Sequence, residues 1–178
     1  MNSLLDDYQR FIQPIEAQLL RSIARILQNP DDADEALQSA LETIWKKFAI
    51  VRAHPNPPAL MMRMAMNAAY DLLRIISRRK KRVPADLHEG IADIQPSAFD
   101  RLSGSERQQE IFRAIRRLSR KQAQAILMRF IQEMDFPEIA SALGCCETTA
   151  RTHVKRGCAR LRFLLGQSTL LESREIQS

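Results

Sequence analysis

A chain of 178 residues with 45% hydrophobic content is long enough to bury a core, and its net charge of +6 suits a polyanionic partner. No apolar run approaches the ~18 residues of a membrane span, and three cysteines crowded into 145–158 make a poor disulfide framework. The opening stretch MNSLLDDYQR puts acids where a secretory signal carries bases, so neither a membrane-inserted nor a secreted disulfide-bonded protein is expected, and a cytoplasmic location is.

Only five glycines occur, and apolar residues recur at three- and four-residue spacings almost throughout, so the chain reads as all-α. Leu19, Ile23, Ile26 and Leu27 form a first helical stripe that stops at Asn29 and Pro30. The next stretch, DDADEALQSALETIWKKF, opens on acids and closes on Lys46 and Lys47, which complements the helix dipole. Ala33, Leu37, Ala40, Leu41, Ile44 and Phe48 are its expected buried stripe, leaving Asp34, Glu35, Gln38 and Glu42 outside. An acidic face on a basic protein is either an ordinary solvated surface or a protein-binding one. The prolines of AIVRAHPNPPA forbid regular helix until about Ala59.

LMMRMAMNAAYDLLRIISRRKKR then predicts a helix with Met61, Met64, Ala65, Ala68, Leu72, Ile75 and Ile76 on one face. Arg63, Asn67, Asp71, Arg74 and Arg78 fall elsewhere, and the helix ends in the basic run 78–82, which includes Arg79 and Lys80. Five adjacent positive charges repel one another unless an anion is near, so phosphate binding is set against a solvated helix end. Residues 84–105 have no sustained period and are expected to be a flexible linker between two small helical domains, 1–83 and 106–178. Basic residues outnumber acidic by thirteen to nine in 1–83 and by thirteen to eight in 106–178, whereas 84–105 has one base and four acids, so the positive charge lies in both domains.

The second domain carries three shorter periodic segments, ERQQEIFRAIRRL, RKQAQAILMRFI and DFPEIASALG, followed by a longer helix. Asp135 three residues before Glu138, with Pro137 in the first turn, is a capping-box pattern, and Gly144 is the stop. A short helix, a glycine-containing turn and a second amphipathic helix make a helix-turn-helix, whose second helix enters the DNA major groove. Projected at about 100° per residue, that helix gathers Ala150, Val154, Gly157, Cys158, Leu161 and Leu165 on one side. Thr148, Thr152, Lys155 and Ala159 point the opposite way, flanked by Arg151, Arg156 and Arg162, a surface suited to bases and phosphates.

The cysteines and His153 do not suit a metal. Cys158 lies about 140° around the helix from His153, while Cys145 and Cys146 are adjacent and no fourth ligand is nearby. Cys145 and Cys158 are expected in the core, with Cys146 at the helix cap and Thr148 or Thr149 sharing that role. No catalytic constellation, metal or cofactor is expected.

Taken together, these stretches resemble the extracytoplasmic-function sigma factors of bacterial RNA polymerase. DDADEALQSALETIWKKF resembles the family's polymerase-docking helix, which implies that Asp34, Glu35, Gln38 and Glu42 contact core enzyme. ALMMRMAMNAAYDLLRIISRRKKR is similar to the helix that meets the minus-ten element, with Asn67, Asp71 and Arg74 at the family's positions and Arg78, Arg79 and Lys80 near phosphates. His54 and Asn56 fall in the loop that in the family captures a flipped base. RLSRKQAQAILMRFIQEMDFPEIASALGCCETTARTHVKRGCARLR resembles the minus-thirty-five module, and Thr148, Thr149, Arg151, Thr152, Lys155 and Arg156 are its implied DNA contacts. The family's usual residues are replaced by Ser39, Leu60, Ser119 and Ala150. The resemblance implies core RNA polymerase and promoter DNA as partners, an anti-sigma factor as a further one, and no chemistry of the chain's own. The alternatives are a helix-turn-helix regulator not associated with polymerase and a pure protein-interaction module.

Overall fold

The computed structural model describes residues 6–82 and 106–175, with side chains through 79 in the first stretch and from 107 through 166 in the second. Every regular element among the described residues is helical. Cα proximity divides the chain into two compact units, Met1–Ser103 and Gly104–Ser178. The expected linker 84–105, and the side chain of Lys80, lie outside the described residues.

In the first unit a π-helical turn, Tyr8–Ile12, runs into α1, Gln13–Leu27. Leu19, Ile23, Ile26 and Leu27 are buried, as the stripe predicts. Gln28 ends α1 in the left-handed region at φ 58°. Asn29 then turns extended and its Oδ1 accepts the Asp32 N–H at 3.0 Å, which caps α2, Pro30–Lys46. Ala33, Ala36, Ala40 and Ile44 of α2 are buried, and α2 packs on both α1 and α4. Leu37 and Leu41 are half-buried, at the margins of this alanine-lined stripe rather than in it.

The proline-rich stretch departs from expectation. Lys47, at φ −113° and ψ 19°, interrupts the helix, and Phe48 opens α3, Phe48–Ala53, against the rings of Trp45 and Phe11 at 5.1 and 5.6 Å. Next, α4 begins at Pro57 and runs to Arg82. Proline is tolerated in a first turn, where its missing N–H has no partner to lose. The helix therefore starts on the prolines instead of after them.

The buried face of α4 differs too. Ala59, Leu60, Met61, Met62, Ala65, Met66, Ala69 and Tyr70 are buried, whereas Met64, Ala68 and Leu72 are half-buried and Ile75 is 43% exposed. The N-terminal half of this helix is apolar over much of its circumference, and periodicity alone does not choose the side that α1 and α2 cover.

In the second unit α5, Glu106–Arg116, α6, Arg120–Phe130, and α7, Phe136–Leu143, surround the start of α8, Glu147–Glu175. Gly157 lets α8 approach α6, because a Cβ there would lie 2.8 Å from Ile126 Cγ1. The expected capping box is formed. Glu138 N–H donates to Asp135 Oδ1 at 2.8 Å, and Asp135 N–H donates to Glu138 Oε2 at 3.0 Å. Gly144, at φ 64°, takes the left-handed conformation that ends α7, and α8 starts three residues later.

Candidate nucleic-acid interface

Helix α8 separates its residues as the projection anticipates over its first turns, whereas Cys158, Leu161 and Leu165, expected on the same side, are only half-buried. Ala150, Val154 and Gly157 are buried, and Leu164, which the projection did not select, joins them. Thr148, Arg151, Thr152, Lys155, Arg156, Ala159 and Arg162 are exposed, and Thr149 is half-buried. One side of the helix is thus held by α5, α6 and α7, leaving a surface of hydroxyls, guanidiniums and one ammonium.

The start of this surface is organised by Cys146. Its Sγ lies 3.1 Å from both Thr148 Oγ1 and Thr149 Oγ1, and its carbonyl accepts the N–H groups of Thr149 and Ala150. Thr148, Thr149 and the Thr149 N–H stabilise the thiolate and draw the pKa down to about 7. Burial instead pushes the Cys145 thiol up, against an opposing pull from Lys121. Cys145 and Cys158 are half-buried, not full core residues, because the turn and the edge of the stripe leave each partly open. Burial, followed by Lys121 and Arg156, holds the His153 imidazole below its ordinary value, which favours its neutral form at pH 7. No metal-ligating cluster occurs among the described residues.

Arg151 is gripped from two directions. Its Nε and Nη2 donate to Glu147 Oε1 at 3.0 and 2.5 Å, and its Cζ stands 4.2 Å from the centroid of the Phe136 ring. The i,i+4 pair was readable from spacing, but Phe136, on another helix, was not. Thr152 Oγ1 donates to the Thr148 carbonyl at 2.8 Å.

In the first unit, Asn56 Oδ1 accepts the Ala59 N–H at 3.0 Å and so caps α4. His54 Nδ1 lies 3.1 Å from the Asn56 amide nitrogen and 2.8 Å from its carbonyl oxygen. These two loop residues therefore hold the turn before α4. Farther along, Arg74, Arg78 and Arg79 are exposed. Asn67 and Asp71 do not share their surroundings, because they line a groove with Glu35, Ser39 and Thr43 of α2. The fold thus places Asn67, expected at DNA, beside Glu35, expected at polymerase. Asp34, Glu35, Gln38 and Glu42 are all exposed on α2, with Glu42 paired to Lys46 at 3.3 Å.

A helix-turn-helix with a basic outward surface, joined to a second basic helical unit, defines a DNA-binding transcription factor. Residues 108–161 match the family Sigma-70, region 4. The chain is 31% identical over 148 residues to the ECF RNA polymerase sigma factor SigM of Mycobacterium tuberculosis, covering 83% of this chain and 71% of that protein. It is also 24% identical over 157 residues to the RNA polymerase sigma-E factor of Streptomyces coelicolor, covering 88% and 84% of the two. Among solved structures, the sigma factor RpoE from Bartonella quintana, crystallised in complex with the anti-sigma factor NepR, shares the fold at a TM-score of 0.62 and 22% identity, over 93% of this chain and 98% of that one. The chain belongs to the extracytoplasmic-function sigma factors of bacterial RNA polymerase. Its function is that of the family, a transcription initiation factor that binds core polymerase and directs it to promoters, and the reading as a polymerase-independent regulator is set aside.

Proposed function

We propose that the two basic units divide promoter recognition between them. The first turns of α8 enter the major groove at the upstream element, with Thr148, Thr149, Arg151, Thr152, Lys155 and Arg156 at bases and phosphates. The observation that carries this reading is the split of α8 into a buried Ala150, Val154, Gly157 side and an exposed side of threonine, arginine and lysine. Arg74, Arg78, Arg79 and Lys80 approach phosphates of the start region, Asn67 contributes beside them, and His54 and Asn56 serve the loop nearest the melted strand. Asp34, Glu35, Gln38 and Glu42 meet core polymerase through the exposed edge of α2. The chain acts in the cytoplasm, carries out no bond chemistry itself, and leaves catalysis to the polymerase.

An anti-sigma protein is a further proposed partner, a reading supported by the fold shared with a sigma factor solved in complex with one. Purified protein added to core RNA polymerase should yield transcripts from promoters selected with the assembled holoenzyme. Failure to co-purify with core enzyme at moderate salt would overturn the assignment of α2, and co-purification without promoter-directed transcripts would overturn that of α8.

A further inference from the structure

We propose that Phe136 is a positioning residue for DNA binding, a ring on α7 that presents the Arg151 guanidinium of α8 to a backbone phosphate. The inference rests on the reading of Arg151 as a DNA contact.

Arginine has several rotatable bonds, and an exposed one ordinarily loses that freedom when it binds. Here the side chain is 57% exposed and yet already restrained. Glu147 Oε1 takes both Nε and Nη2, and Phe136 underlies the guanidinium. Neither bond to Glu147 uses Nη1, so the end-on edge formed by Nη1 and the second Nη2 proton remains for a ligand, a fork that fits two oxygens of one anion.

The ring is itself fixed. Phe136 is the first residue of α7, directly after the Asp135 cap, and Arg129 of α6 lies over the same ring at 5.0 Å. Arg129 Nη1 also donates to the Met134 carbonyl at 2.8 Å, which ties the end of α6 to the turn preceding α7. The first helix of a helix-turn-helix crosses the DNA backbone while the second reads base edges. A guanidinium drawn onto the first residue of α7 is therefore held on the backbone side, which favours a phosphate over a base as its target.

The test is a double-mutant cycle with the full-length chain, measuring affinity for a labelled mixed-sequence DNA duplex across a salt series. Arg151→Ala should lower affinity and reduce the slope of log K against log salt by about 1. Phe136→Leu, which keeps an apolar side chain and removes the ring, should weaken binding about two- to five-fold in the wild-type background and leave it unchanged when Arg151 is absent. Phe136→Tyr should restore wild-type affinity. If Arg151→Ala lowers affinity and slope but Phe136→Leu has no effect, or the same effect in both backgrounds, the positioning role is overturned and the Arg151 contact stands. If Arg151→Ala itself changes neither quantity, the contact reading fails and the role of Phe136 with it. Thermal unfolding checks each variant, and Phe136→Met provides the same comparison should Phe136→Leu not fold.

Discussion

Gly157 and Gly166 lie on the same helix, and replacing each by alanine should have opposite effects. At Gly157 the new Cβ would meet Ile126 Cγ1 at 2.8 Å, and Ile126 is itself buried, so the overpacking cost of about 1–3 kcal/mol outweighs a helix-propensity gain of about 1 kcal/mol. Gly166 has nothing within 4 Å, and only the propensity gain applies. Gly157→Ala should lower the denaturant midpoint, whereas Gly166→Ala should raise helical content by circular dichroism. Cys146 offers a pH-dependent counterpart. Its folded-state pKa of about 7 lies below the ordinary 9.0, so the thiolate favours the folded state. That contribution is fully present above pH 9 and is lost as pH falls through 7. Alkylation followed by mass spectrometry should show Cys146 half-reactive near pH 7 and Cys145 only at higher pH.

At the scale of single helices, the caps were the most legible features. Asp135 and Glu138 stand at the capping-box spacing, and both bonds form because the geometry is local and no distant residue can alter it. Asp135→Ala should cost about 1 kcal/mol, read as a shift in midpoint at unchanged slope in urea. Helix α4 shows where such reasoning stops. Its sequence offers apolar residues on more than one side, and Met62, Met66, Ala69 and Tyr70 are buried although the expected face passed through Ile75. Met66→Ala should therefore cost about 2–5 kcal/mol, while Ile75→Ala, at a residue 43% exposed, should stay within about 0.5 kcal/mol. Comparable losses for the two would mean that the face of α4 had been wrongly chosen.

Across the whole molecule, charge is unevenly distributed. Acidic residues gather on the exposed edge of α2, although both units carry a net positive charge. Long-range fields of this kind steer a polyanion toward basic surfaces, and an acidic patch among them suits a different, basic partner. Asp34→Lys should therefore reduce binding to core polymerase in a pull-down while duplex affinity is retained. Unchanged polymerase binding would remove α2 from that interface. Asp34 separates the two functions more cleanly than Glu35, which lines the groove containing Asn67 and Asp71. That groove, the ring of Phe136 beneath Arg151 and the close approach at Gly157 each join residues far apart in the chain, and no periodicity encodes such meetings. Whatever depends on near neighbours was legible in the chain: the helices, the helix-turn-helix, the stop at Asn29 and Pro30, the cap at Asp135, and the outward side of α8. Only tertiary packing decided which side of α4 is buried, that α4 starts on its prolines, and which ring holds Arg151, because the free energy of burial depends on the partner surface as much as on the helix that carries the residue.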